Sequence, residues 1–514
     1  VFFNTLSNLT AYAVTVGTNA AAQDITIAGP ASGNVTFTMG ATAVINCFSN
    51  WTNAATGVVF NPTTGAVVNF LATTTGKTIT TNNVSFLLAA SVFNGAGGGW
   101  TLGSAFTSTV GNSIQVLQGA FDTGNYACTL NSINSTGNGV RSLILGSSAI
   151  SCSGTTPINF AGTNLTFSAG TSTITCSNAA PAFTGGAQTF NNVTFSSTAT
   201  GTTTINGANT FNILTQAAQS AAGLRFVAIA ANQTISTLTL SAGASAVTRT
   251  FVRSDSIGTQ RTLTVATLTA ISDIDFRDIV AAGASAASPW TGTRLGDCKN
   301  NSNITFTAAA TKYWSTTNGA SANWSNINAW ATSSGGTPGS ATFPLAQDTC
   351  IIDDSGATTG NGLRTGNTVT IDAAWNIGTL NFSGRTVAFN WTQGNADPIM
   401  YGDVTLTTTM TMVTVTGSPT WTFANQGTIQ ALNSAGITLR LISLTVNSPG
   451  GGVSLTTNTT LDLSPIVAPN VSGTFTLTAG TLNLSNNTLS AVGFSAGSGV
   501  NTLAFGTGNI TLRG

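Results

Sequence analysis

The sequence predicts an all-β protein of elongated, repetitive type, built from parallel β-solenoid (β-helix) arms. Three observations carry this prediction. First, short alternations of Val, Ile, Thr and Phe recur along the chain between Gly/Asn/Thr clusters, as in DITIAG (24–29), NVTFTMG (34–40), GAVVNF (65–70) and NVSFLLA (83–89). Period-two alternation marks strands, and strand centres about 8 to 12 residues apart fit solenoids, barrels or sandwiches. Apolar stripes of helical period are lacking, so few helices are expected.

Second, the stretch 118–151 can be laid on 479–511. Gly119 then meets Gly480; after a one-residue slip Gly139 meets Gly499, Leu143 meets Leu503, Gly146 meets Gly506 and Ile150 meets Ile510. Third, Cys128, Cys152 and Cys176 are each 24 residues apart. Three short strands with their turns use roughly two dozen residues per coil, and equivalent positions stack about 4.8 Å apart. The spacing predicts a cysteine ladder on the inner face. If the spacing is chance among six cysteines, tandem β-sandwich domains become the alternative fold. Stacked thiols lie within disulfide reach, but packing as buried free thiols is equally consistent with the spacing.

Along the chain, residues 1–270 read as an N-terminal β-repeat arm and 371–514 as a C-terminal one. Between them, 271–370 reads as a junction rich in charge and tryptophan. Of 28 charged residues, 11 fall between Arg249 and Lys299, and Trp314, Trp324 and Trp330 follow directly. At about 24 residues per coil the whole chain would form an object on the order of 100 Å long. Val1 carries no initiator Met, and the last residues read like a unit normally followed by another, so a processed or partial product is expected.

Composition narrows the function. The net charge is zero, only 5% of residues are charged, and neither His nor Glu occurs. With three lysines (Lys77, Lys299, Lys312) there is no basic stripe for phosphates, so no nucleic acid partner is expected. No apolar run approaches the roughly 20 residues that cross a bilayer, so no membrane insertion is expected. A surface solvated by hydroxyls and amides suits an extracellular structural object.

Within the junction, SDIDFRDI reads as one strand, with Asp273, Asp275 and Arg277 on one face and Ile274, Phe276 and Asp278 on the other. Asp278 beside Ile and Phe needs a partner if buried, and Arg253, Arg294 or backbone N–H groups can supply it. These six charged residues are expected to form a structural network sealing one end of an arm. A Ca²⁺ site is the alternative, weakened by the absence of an EF-hand loop or GGxGxD repeat. Trp314, Trp324 and Trp330 either close the core or offer flat faces to carbohydrate.

Catalysis has few candidates. Without histidine no Ser-His-Asp or Cys-His arrangement exists, and a glycosidase would need Asp pairs such as Asp353 with Asp354 or Asp273 with Asp275. No catalytic residue, metal or cofactor is expected. The three remaining cysteines (Cys47, Cys298, Cys350) lack zinc-like spacing.

The junction also carries a resemblance. ISDIDFRDIV, then GTRLGDCKNNSNITFTAAATKYW, ANWSNINAW and FPLAQDTCIIDD, resembles a recurring block in predicted tail-fibre and related virion proteins of marine tailed bacteriophages. The flanking Thr/Asn/Gly repeats are similar to repeats of the same proteins, and the likeness touches about half of the chain. It implies a virion-attached appendage, oligomeric, rich in β-structure and without catalytic function, and carries over no binding residue. Contact with other virion proteins and, through the charge-poor, hydroxyl-rich surface, with host surface glycans is the expectation that follows for an extracellular fibre. A homotrimer is the expected assembly, because solenoid ends and edges need covering. Two other functions stay open: a cellular surface adhesin or self-assembling extracellular filament, and a polysaccharide-degrading tailspike.

Overall fold

The computed structural model describes residues 2–3, 11–27, 34–53, 58–61, 65–86, 89–108, 113–241, 243–415, 419–439, 442–456, 460–463 and 473–512. They form a parallel β-solenoid of about 20 turns. Helical content among them is confined to three single turns of 3-10 helix, at Ala284–Ala286, Thr317–Gly319 and Ser340–Thr342.

One turn shows how the sequence makes the coil. Ser132–Asn134, Arg141–Ile144 and Ala149–Cys152 are three short strands. Each pairs in parallel with its equivalent in the turn before and in the turn after. Leu143, Leu145, Ile150 and Cys152 point inward and are buried, while Ala149 and Ser151 alternate outward. The corner after the second strand needs a left-handed backbone, supplied on successive turns by Gly124, Gly146 and Gly170 (φ 58°, 53° and 56°). A Cβ on Gly170 would lie 2.2 Å from the Gly146 carbonyl oxygen, so the stacked corner admits only glycine there.

Stacking puts like residues over like. Phe37, Phe60, Phe86 and Phe106 form one inner column with centroids 5.5, 5.0 and 5.3 Å apart, and Phe70, Phe93 and Phe121 a second at 4.8 and 4.3 Å. These spacings follow the coil repeat of about 4.8 Å, so each ring packs on the next, stacked for Phe70 on Phe93 and tilted for the others.

The cysteine ladder is shorter than the sequence predicts. Cys152 pairs in register with Cys176, but Cys128 pairs with Ile150, and Leu130 is the residue that precedes Cys152 in the column. All six cysteines are free and buried. The period is also not fixed: the offset is 22 residues from Cys128 to Ile150, 19 from Cys176 to Phe195 and 30 from Leu238 to Leu268. Corners absorb the insertions while the strands keep register, so an exact period was the wrong test of the coil. The strand expected over 83–89 does not form at 84–86, and 87–88 lie outside the described residues.

The internal similarity reappears in space. Gly119 N–H donates to Val140 O (3.1 Å) and Gly480 N–H to Val500 O (2.9 Å), both glycines having positive φ. In each case the preceding strand carries a glycine-rich irregularity, at Asn94/Gly99 and at Asn447/Gly452.

The predicted junction is not a separate unit. Pairing of the first arm continues to Gly296–Asp297 and to a bridge between Trp290 and Ile304. A new sheet then opens with Thr311–Trp314, which pairs with Thr349–Ile351. Residues 271–304 are thus the last turns of the first arm, and 311–371 the first turns of the second.

Nor do the arms continue as one rod of about 100 Å. Asp275 bonds to Asn376, while Asp278 bonds to Gln426, two turns further along the second arm. The position of Gly258 is abutted by Pro449, a turn further again. Three residues of strand span about 10 Å, the height of two coils. The strand direction of the first arm therefore runs along the stacking direction of the second, and the arms cross.

Candidate functional site

The charged residues converge where the arms cross. SDIDFRDI is not one strand there. Ile271–Ser272, Ile274–Arg277 and Ile279–Ala282 are three strands of one turn, joined at Asp273 and Asp278. Both aspartates are left-handed (φ 57° and 58°), a conformation that Asp tolerates better than most residues. The two corners bring Asp273 and Asp278 out of the alternating pattern, so the expected two-faced strand is replaced by a bent coil with every charge buried.

Two linked clusters result. Arg249 Nε donates to Asp275 Oδ1 (3.1 Å) and its Nη1 reaches Asp273 Oδ1 (3.4 Å). Arg294 grips Asp273 through Nε (2.7 Å) and Nη2 (2.6 Å). The other oxygen of Asp275 accepts Asn376 Nδ2 (2.9 Å) from the second arm. Asp278 accepts Arg277 Nε (3.1 Å), Gly258 N–H (3.2 Å), Asn300 Nδ2 (2.6 Å) and, from the second arm, Gln426 Nε2 (2.9 Å).

Every carboxylate here has cationic or amide donors, which is what burying charge requires. The expected network of Asp273, Asp275, Arg277, Asp278 and Arg294 therefore exists. Arg253 does not join it by an ion pair: its guanidinium lies over the Phe226 ring at 5.3 Å. Arg277 lies over Phe251 in the same way at 5.4 Å.

Arg249 was missed as a partner. The same offset of 24 residues that relates Cys152 to Cys176 places Arg249 on Asp273, and would have found it.

Between the clusters sits a small apolar contact of the two arms. Leu224, Phe251 and Cys298 of the first pack on Ala346, Tyr401 and Ala424 of the second. Burial pushes the Cys298 thiol well up, and pushes the Tyr401 hydroxyl well up too. The linker is fixed as well. Asp348 accepts Ala310 N–H (2.8 Å) and Leu345 N–H (2.9 Å), and burial raises its carboxyl above the usual range.

The tryptophans proposed for carbohydrate are inside. Trp314, Trp324 and Trp330 are at most 2% exposed, and Trp330 packs edge-on to both of the others, at 4.7 Å from Trp324 and 5.2 Å from Trp314. A ring enclosed on both faces cannot stack on sugar, so these three close the core of the second arm. The Asp pairs are likewise engaged. Asp273 and Asp275 are buried in ion pairs. Asp353 holds Ser355 and Ser334, and Asp354 accepts the Thr386 and Val387 N–H groups. Among the described residues no group of three or more metal-ligating side chains gathers.

Beside the crossing, the two arms enclose a solvent-open cleft of about 830 Å³ between Arg253–Ile257 and the strands around Asn447, Thr478 and Ser498. Fold and site together define a double-armed parallel β-solenoid locked by buried charge. No family model, curated protein or solved structure matches this chain.

Proposed function

We propose that the protein is a structural and adhesive component of a bacteriophage virion, a tail fibre or similar appendage, without catalytic function. One observation carries this reading most. The ion pairs of Arg249, Asp273, Asp275, Arg277, Asp278 and Arg294 lie where two arms join, Trp314, Trp324 and Trp330 fill the core of the second arm, and the outer positions of the turns are chiefly Thr, Ser, Asn and Gly. Such a surface takes up few counter-ions and responds little to salt or pH, which suits an extracellular scaffold. The likeness of the 271–354 block to predicted tail-fibre proteins supports the same reading. So does the parallel stack, because its ends offer strand edges to neighbours in an oligomeric assembly, for which a trimer is proposed.

The test is immuno-electron microscopy with antibody raised against the purified chain. Label on appendages of tailed particles is expected. Label confined to cell surfaces or to free filaments would replace this reading with the cellular adhesin. Release of short chains from host surface polysaccharide by the purified protein would replace it with the tailspike.

A further inference from the structure

The cleft at the crossing contains an arginine, Arg253, that lies over the Phe226 ring but has no ion pair and no hydrogen-bond acceptor among the described residues. The other arginines of this region are paired: Arg249 and Arg294 with Asp273, Arg277 with Asp278, and Arg261 with Asp255 (3.0 Å). Arginines buried elsewhere in the first arm donate to carbonyls, Arg141 to Gly139 and Ser135, and Arg225 to Ser197 and Ala199 through Nη1, although Arg225 Nε too is buried without a partner among the described residues.

Arg253 has neither. Among the described residues it makes no ion pair, its Nε is buried without a hydrogen-bond partner, and it stacks in register on Arg277 of the next turn. Burial, with Arg277 as a second cause, pushes its guanidinium down to about 10, so it stays charged at neutral pH. A half-buried cation with unused donors and a like charge one coil away leaves an uncompensated cost that an anion would relieve.

The surroundings indicate which anion. Arg253 is the single cation lining the cleft, and Asp255 at its rim is already held by Arg261. A dianion would bring two charges to one cation and meet Asp255, whereas a monoanion matches. The opposite wall offers Asn447, Thr478, Thr481 and Thr502, with Pro449 as an apolar patch. Amides and hydroxyls beside a small apolar surface suit a polyhydroxylated ligand. The volume of about 830 Å³ exceeds one sugar ring and lies within the usual range of ligand clefts. Among the described residues, the glycines of the equivalent strand of the first arm, around Asn94–Gly99, face only residues of that arm, so the cleft is a product of the crossing.

We propose that this cleft binds the carboxylate of an acidic saccharide, with Arg253 as the oxyanion donor and the Asn447–Thr502 wall facing the sugar hydroxyls. The proposal is independent of the particle to which the chain belongs, because binding is a property of the isolated protein.

Calorimetry of the purified full chain with sialyllactose, a trisaccharide bearing a single carboxylate, and with maltotriose and inorganic phosphate tests it. Saturable binding of sialyllactose is expected, with maltotriose and phosphate at least about tenfold weaker. Arg253→Gln is expected to weaken sialyllactose at least about tenfold with an unchanged circular dichroism spectrum. Val500→Trp, at a lining position 90% exposed, is expected to block the cleft. If Arg253→Gln fails to fold, Val500→Trp decides. No saturable sialyllactose binding up to about 10 mM, tighter binding of phosphate, or unchanged affinity in the folded variants overturns the proposal.

Discussion

The turns from Cys128 to Phe195 and the turns at the arm crossing solve different problems with the same coil. In the first region each turn is covered above and below by near copies of itself. Phe190 packs between Phe160 and Phe211 (6.0 and 5.6 Å), and apart from Arg141, which donates to carbonyls, uncharged side chains fill the interior. At the crossing a turn must meet a foreign surface in one orientation. There Asp275 and Asp278 bond to Asn376 and Gln426, whose directional needs fix where the second arm sits. Stacking gives stability without uniqueness, whereas buried charge gives uniqueness at an energetic cost.

Substitutions that exchange the two solutions test this contrast. The largest effect is expected from Asp275→Leu, which leaves Arg249 buried without its main partner and frees Asn376. A loss of about 5 kcal/mol is expected in denaturant unfolding, and protease should then cut the linker near 305–310. Asp275→Leu combined with Arg249→Met should regain much of that stability but not the protease resistance. Recovery of both would mean that packing alone orients the arms.

Phe190→Ala should cost about 4 kcal/mol, yet speed hydrogen exchange only in adjoining turns, because each coil touches only its neighbours. Faster exchange at the crossing would show that the molecule does not behave as a one-dimensional stack. Alkaline pH should weaken the stacked region next. Burial pushes Cys128 and Cys152 up to about 12 from their ordinary 9. Thiols ionise first in the unfolded chain, so stability present below pH 9 is lost as pH rises toward 12. Arg253 acts in the opposite direction, but only above pH 10 and as one group against several. A flat urea midpoint from pH 8 to 11 would contradict the buried thiols. The smallest effect is expected from Gln426→Ala, about 1 kcal/mol, since Asp278 keeps three other donors.

The stacked region was largely legible in the sequence. Alternation gave the strands, and the Gly119/Gly480 correspondence identified a unit that recurs in space. The exact period was misleading, because corners take insertions that strands do not record. At the crossing, five of the six expected members of the network were legible from Asp and Arg density, but Arg249 and the geometry were not. Asp273 and Asp278 were read as strand residues because nothing in a single coil announces a left-handed corner, though Arg294 and Lys299 repeat such corners one turn on (φ 52° and 77°). Partners such as Asn376 and Gln426 lie 101 and 148 residues away and carry no local signal. Turn-rich text around the tryptophans leaves core closure and a sugar-facing surface both open in the sequence, and their size is what fills a loosely patterned core.

The crossing itself can be tested with one covalent link. A Cβ at Gly258 would lie 3.0 Å from Cβ of Pro449, near the 3.5–4.5 Å or so of a disulfide, and the six native thiols are buried. In Gly258→Cys combined with Pro449→Cys, mild oxidation should close a loop across the two arms, giving a faster band on a non-reducing denaturing gel. Two new thiols that both label with maleimide in the folded protein yet never form this link would contradict the crossed-arm account.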